Sequence, residues 1–302
     1  MSPEDRSEVA ELIYCSINFW YRAHGGADIF RGGPEVTEVF YDVYDDLTPG
    51  CNVVAVNPRT GRLMGSCFYH PRERHVSLGI MNVHPNYFGT GVARALLQHV
   101  IDYTEREGYR ALRLTQSTLN LDSFSLYTRA GFVPRSSYQD MVVRVPEAGL
   151  DVSVPGLDRV RDAVPADVPA MAALELEVSG ISRRLDYGYC IENTRGFWHG
   201  SVLESRSGDL DGFMISSGHP AMNALGPCIA RSEEAAAALI LRELDLYRGR
   251  TPVCLIPMEK ETLVRRLYDL GAKNVEMHFC QVRGEFQPFR GVSMPTFLPE
   301  TA

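Results

Sequence analysis

The chain has 302 residues, 45% of them hydrophobic and 23% charged, an ordinary globular composition with enough chain for two domains. A formal net charge of −8 argues against general nucleic-acid binding. The seven cysteines are scattered and lack a C-x-x-C pair, and no stretch approaches membrane-spanning length or the layout of a signal peptide. The expectation is a cytoplasmic protein without a disulfide framework, a metal site, a nucleic-acid partner or a membrane partner.

Ser2-Pro3-Glu4-Asp5 reads as a helix start, with a capping serine, a proline at the first helical position and an acid where a capping box needs one. Val9, Leu12, Ile13, Ser16 and Ile17 then recur at helical spacing. A second helix is expected from Pro34 to the Pro49-Gly50 stop, with Glu35, Glu38, Asp42, Asp45 and Asp46 on a solvated face. A β-meander follows, with strands over 52–56, 63–70 and 75–83. His75, His84 and His99 read as surface or loop residues.

The stretch Val83-His84-Pro85-Asn86-Tyr87-Phe88-Gly89-Thr90-Gly91 opens directly into an amphipathic helix whose face is Val92, Leu96, Val100 and Ile101. The first N–H groups of such a helix have no internal partners, and the macrodipole favours negative charge beside them. Gly89 and Gly91 put no Cβ in the way of a ligand. The loop therefore reads as a phosphate cradle. A strand over 111–115, a helix over 123–130 closed by Gly131 and a strand over 138–145 complete the first half.

Residues 146–156 have the Pro, Gly and acid content of a linker, which gives domains 1–148 and 149–302. The second half parallels the first: Pro165-Ala166-Asp167 matches Pro3-Glu4-Asp5, a helix over 232–247 matches the one after Gly91, and the Leu267-Tyr268 to Gly271 segment matches Leu126-Tyr127 to Gly131. Its equivalent of the cradle ends in Ser232-Glu233-Glu234, which places acids where a pyrophosphate would sit. Trp198, Tyr187 and Tyr189 read as core packing, and the Pro- and Phe-rich tail over 286–299 as an extended run over a surface.

The order of elements, the Val83-x-Pro85 then Gly89-x-Gly91 loop, and Asn120-x-x-Ser123-x-x-Leu126-Tyr127-x-x-x-Gly131-Phe132 resemble the GNAT N-acetyltransferase superfamily over roughly residues 2–145. The resemblance implies an α/β fold of the α+β type. It would have two GNAT-like domains, each a mixed, mostly antiparallel twisted sheet flanked by helices, the second a degenerate copy. It implies acetyl-CoA as co-substrate, held in a splayed gap between two strands. The backbone of Met81, Asn82 and Val83 would meet the pantetheine arm and the acetyl carbonyl. The N–H groups of Phe88, Gly89, Thr90, Gly91, Val92 and Ala93 would hold the pyrophosphate. Asn120 would face the pantetheine, and Tyr127 would protonate the leaving thiolate. The implied activity is acetyl transfer by direct attack of a small-molecule or peptide amine. A non-catalytic acyl-CoA-binding or sensor protein is the alternative, and a homodimer is compatible with either. Two positions depart from the family: Asn86 stands where Gln or Arg is frequent, and Ser77 where many members carry the glutamate that serves as general base.

Overall fold

The computed structural model describes residues 1–301. It divides into two compact units, Met1–Leu112 with Leu298–Glu300, and Arg113–Phe297 with residue 301.

The first unit follows the expected order. Helix α1 is Arg6–Ala23 and α2 is Glu38–Leu47; strands β1, β2 and β3 are Asn52–Val56, Leu63–Pro71 and Val76–Val83; helix α3 is Val92–Arg106. The three strands form an antiparallel meander. Its two faces are covered by different helices because neighbouring residues of β2 point opposite ways. A Cβ on Gly65 would meet the side chains of Val92 and Leu96 on α3. On the other face Asn82, paired with Ser66, accepts from Ser16 of α1 at 2.9 Å. The apolar sides of α1 and α3 close this core with Val9, Leu12, Ile13, Leu96, Val100 and Ile101, all buried. The acids of α2 are not simply solvated: Arg6 holds Glu38 and Asp42, each at 2.6 Å.

Strand β4, Ala111–Ser117, carries the chain into the second unit. There follow α4 (Leu121–Arg129), β5 (Val133–Val142), β6 (Val160–Asp162), α5 (Val168–Ser179), α6 (Arg184–Glu192), β7 (Trp198–Glu204), β8 (Leu210–His219), β9 (Met222–Ala230), α7 (Glu233–Asp245), β10 (Val253–Pro257), α8 (Glu261–Asp269), β11 (Lys273–Gly284) and β12 (Val292–Met294). The strands run in the order β4-β11-β5-β10-β9-β8-β7-β6, with β12 paired to β9. All these pairings but one are antiparallel where the register is given, the exception being β9 with β10. Helix α7 packs on β7, β8 and β9, where a Cβ on Gly212 would meet Leu239. Helix α6 covers the opposite face, where Tyr187 stands edge-on to Phe213 at 4.8 Å. Tyr187 and Trp198 are thus core residues, as expected.

Two features of this sheet are absent from the sequence reading. Strand β5 begins five residues earlier than expected and lies between β11 and β10, so closing strands are exchanged between the repeats. Because β5 pairs with both, the compact units part at Leu112/Arg113 and not in the 146–156 stretch. The tail is extended, but it is not a surface run: β12 is inserted in the sheet, with Val292 and Met294 buried.

Candidate active site

Strand β3 carries a bulge immediately before the residues assigned to the co-substrate. Met81 pairs with Cys67 and Leu78 with Tyr69, so Gly79 and Ile80 both oppose the single residue Phe68. A bulge leaves backbone groups out of the ladder and bends the strand, which is why bulges cluster beside active sites. Gly79 is required here, since a Cβ would stand 2.9 Å from His70 Nε2 and 3.1 Å from the Phe68 carbonyl.

Beyond β3 the chain makes a short 3-10 turn, Pro85–Tyr87, in which the His84 ring accepts from the Asn86 N–H at 3.2 Å. Residues 88–91 are exposed, and Gly89 and Gly91 have φ of 75° and 92°. These angles belong to the left-handed region that a side chain disfavours. Among the described residues, chain neighbours aside, no atom lies within 4 Å of a Cβ built on either glycine, so nothing crowds the loop there. Two of the six expected N–H donors are used inside the loop: Phe88 donates to Pro85 at 3.2 Å and Thr90 to Tyr87 at 3.3 Å. Among the described residues, the N–H groups of Gly89, Gly91, Val92 and Ala93 have no such partner. Gly91 is the N-cap of α3 and supplies no side-chain cap, so the helix end stays unsatisfied. The first turn has no acid, and it carries Arg94, an exposed cation without an ion pair among the described residues. The sequence reading passed over Arg94. Its signal was a cation in a helical first turn, where acids are the usual choice.

Upstream, no carboxylate lies on β3. Ser77 is fully buried, with Oγ 3.2 Å from His75 Nε2. His75 is therefore a buried residue and not the surface residue expected. Across the ladder from Ser77 stands His70, also buried, its Nδ1 2.8 Å from the Thr48 hydroxyl. Burial, with Arg72 adding to it, drives the His70 pKa well below the ordinary value for histidine. His84 is half-buried and His99 exposed.

In the second unit, Asn120 is the N-cap of α4, its Oδ1 accepting from the Ser123 N–H at 2.9 Å. That oxygen is committed to the helix, which leaves the Nδ2 group for a ligand. Tyr127 lies two turns further along α4, buried, its ring 5.7 Å from that of Phe132. The structure thus places Met81, Asn82, Val83 and residues 88–93 together in the first unit, and Asn120 with Tyr127 on one helix of the second.

The C-terminal copy repeats the bulge and then fills the space beside it. On β9, Gly226 and Pro227 oppose the single residue Ile215, as Gly79 and Ile80 oppose Phe68 in the first copy. β9 runs parallel to β10 only at Ala224 and Leu225. Beyond the bulge it pairs instead with β12, through Cys228, Ile229 and Ala230. A Cβ on Gly226 would stand 2.5 Å from the Pro295 carbonyl, so the chain after β12 lies directly against the bulge. Helix α7 is closed as well: Ser232 caps it by accepting from the Ala235 N–H at 3.2 Å, and Glu233 accepts from the Leu263 N–H at 2.7 Å.

Among the described residues, no group of three or more His, Cys, Asp or Glu is placed to hold a metal ion. No helix is long and apolar enough to cross a membrane.

Comparison with known proteins agrees with this geometry. Residues 18–132 match the family described as "Acetyltransferase (GNAT) family", and residues 178–288 match the "Acetyltransferase (GNAT) domain". A putative acetyltransferase from Pyrococcus horikoshii superposes with a TM-score of 0.77 at 15% identity, covering 100% of this chain and 94% of that one. A GCN5-related N-acetyltransferase from Sphaerobacter thermophilus gives 0.62 at 18% identity, covering 96% and 95%. A tandem GNAT protein from the clavulanic acid biosynthesis pathway gives 0.60 at 16%, covering 93% and 96%. The UPF0157 protein YqkA of Bacillus subtilis is 35% identical over 74 residues, a stretch that spans 24% of this chain and 21% of that protein. With a bulged strand and glycine loop in one half, the same bulge in the other, and a match to the family in each, the chain belongs to the GNAT acetyltransferases and carries the domain twice.

Proposed function

We propose that the N-terminal copy binds acetyl-CoA and transfers the acetyl group to an amine, carried by a small molecule or a peptide. The observation that carries this reading is the row of unpartnered N–H groups at Gly89, Gly91, Val92 and Ala93, which opens at the two exposed glycines. A pyrophosphate fits such a row, since each N–H would donate to a charged oxygen at the positive end of α3. Arg94 adds a cation on the same turn. Met81, Asn82 and Val83, following the bulge, offer main-chain groups to the pantetheine arm.

The co-substrate supplies an activated acyl carbonyl; the chain supplies position and protons. The amine nitrogen bonds to the carbonyl carbon as the carbon–sulfur bond breaks. Tyr127 gives its phenolic proton to the departing sulfur and is reprotonated from solvent, which also takes the proton that the attacking nitrogen loses. The products are an amide and a free thiol. The C-terminal copy takes no CoA in the family's manner, because β12 pairs with β9 where the pantetheine would and α7 carries its own cap and acids.

The absence of a carboxylate on β3 favours a second reading, a non-catalytic acyl-CoA-binding or sensor protein. Thiol release from acetyl-CoA across an amine panel separates the two. Release with at least one amine is expected. Tight acetyl-CoA binding without release for any amine would leave the sensor reading.

A further inference from the structure

The nitrogen that attacks the thioester must lose a proton, and strand β2 offers a group to receive it. We propose that His70 takes that proton through one bound water, on its way to solvent; the inference rests on the transferase reading above.

His70 stands on the face of β2 that also carries Ser66 and Phe68 and lies under α1 and α2, away from α3. Its ring leans along the ladder from its partner Ser77 towards the bulge of β3. Nε2 is the ring atom nearest Gly79, 2.9 Å from a Cβ built there, with Cδ2 at 3.3 Å. Met81, the first residue assigned to the co-substrate, is two positions beyond Gly79. The nitrogen therefore lies beside the strand segment assigned to the acyl carbonyl, within the same compact unit.

The hydrogen bonds fix the tautomer. The single hydroxyl proton of Thr48 goes to the Tyr44 carbonyl at 3.3 Å, so its oxygen accepts from the His70 Nδ1–H at 2.8 Å. The lone pair is then on Nε2, which is buried without a hydrogen-bond partner among the described residues. The reverse tautomer would leave a buried N–H unpaired, the costlier arrangement. Ser66 Oγ and Asn82 Nδ2, on residues paired across the ladder on the same face, are likewise buried and unpartnered. Three such atoms on one face are groups that ordered water or a ligand satisfies. Because His70 is 0% exposed, the amine reaches it through water and not directly.

No carboxylate lies on β1, β2 or β3. His75 is the rival base on this face, but its Nε2 is engaged with Ser77. From α2 the facing titratable group is Tyr44, its ring edge-on at 4.6 Å. Arg72, just beyond β2, adds its positive charge to burial, and together they keep the ring neutral well below the ordinary histidine value. The ring is therefore ready to accept at neutral pH. It need not be a strong base, since the proton on nitrogen becomes acidic as the nitrogen–carbon bond forms.

The step balances. As that bond forms, the water takes the nitrogen's proton and gives one of its own to Nε2. The ring becomes an imidazolium whose Nδ1–H stays bonded to Thr48. The carbon–sulfur bond breaks, its electron pair leaves on sulfur, and sulfur takes the proton of the acid assigned above. The imidazolium then releases its proton to solvent by the same water.

The test uses the full chain, acetyl-CoA and a saturating concentration of the amine that releases thiol fastest, with kcat measured against pH and a thermal melt for each variant. The wild type is expected to show an acid limb, a fall in kcat that lies below about pH 6.5. His70→Gln is expected to lower kcat by about 10²- to 10⁴-fold and to lose that limb, with the calorimetric affinity for acetyl-CoA unchanged. Thr48→Val removes the acceptor of the Nδ1–H without touching the ring. It is expected to lower kcat about 10-fold and to move the limb to lower pH, and it decides the matter if His70→Gln does not fold. A wild-type limb in a folded His70→Gln, whatever its rate, would overturn the assignment. So would a limb lost in His75→Gln instead, or a wild-type rate and limb in Thr48→Val. Those outcomes leave the transferase reading standing. Absence of thiol release from a wild type that binds acetyl-CoA overturns the transferase reading and the base with it.

Discussion

Replacing Gly91 by alanine separates a binding role for the cradle from a purely structural one. At φ 92° an alanine is strained, by roughly 1–2 kcal/mol for a left-handed residue. Nothing in the protein lies within 4 Å of the added methyl, so packing contributes no further cost. A thermal midpoint lowered by about 2–4 °C per kcal/mol follows for a chain of this size. The methyl would project beside the α3 N-terminus, where the proposed anion would sit. Losing one hydrogen bond to a charged oxygen costs about 1.5–3 kcal/mol, which is about 10- to 100-fold in affinity. Gly108 provides the control: at the other end of α3 it has φ 72°, and a Cβ there also meets nothing within 4 Å. Calorimetric titration with acetyl-CoA and a thermal melt are to be run on Gly91→Ala, Gly108→Ala and the parent chain. Similar stability losses are expected in the two variants, with weakened binding in Gly91→Ala alone. Equal acetyl-CoA affinity in all three would refute the cradle.

Tyr127→Phe is expected to lower kcat for thiol release about 100-fold or more, with acetyl-CoA affinity unchanged; unchanged turnover would remove Tyr127 from the chemistry. Two histidines, the half-buried His199 and the buried His70, should leave opposite marks on stability against pH. The hydrogen bond to Glu243 raises the His199 pKa above its ordinary value, so its stabilisation is complete below about pH 6.5 and is lost as pH rises through the raised value. His199→Gln should remove that alkaline loss from the thermal midpoint, and a loss that persists would contradict it. Burial lowers the His70 pKa, so the unfolded chain binds the extra proton and stability is lost as pH falls below about 6.5. His70→Asn should flatten that acid slope, which can reach about 1.4 kcal/mol per pH unit; an unaltered slope would point to other groups.

The elements written in local patterns were legible in the sequence. The apolar face of α3, the glycines of the loop and the Asn120 to Phe132 segment each rest on spacing within one stretch, and α3 starts one residue after Gly91 as expected. What pairs with what across the sheet was not legible. Strand β5 was expected as a strand, but its place between β11 and β10 depends on partners more than a hundred residues away. The tail shows the same limit: its prolines and aromatics announced extended chain, and only the opening beside the β9 bulge decides that Val292 and Met294 become core. His75 was misjudged because a histidine at a strand start resembles a turn residue until its ring is seen bonded to Ser77.

The central claim is that one copy of the domain holds the co-substrate and the other has closed its own slot. Calorimetric titration of the full chain with acetyl-CoA tests it most directly. One molecule bound per chain is the expected result. Two per chain would contradict the closed C-terminal copy, and no binding would contradict the cradle at Gly89 to Ala93 and the activity built on it.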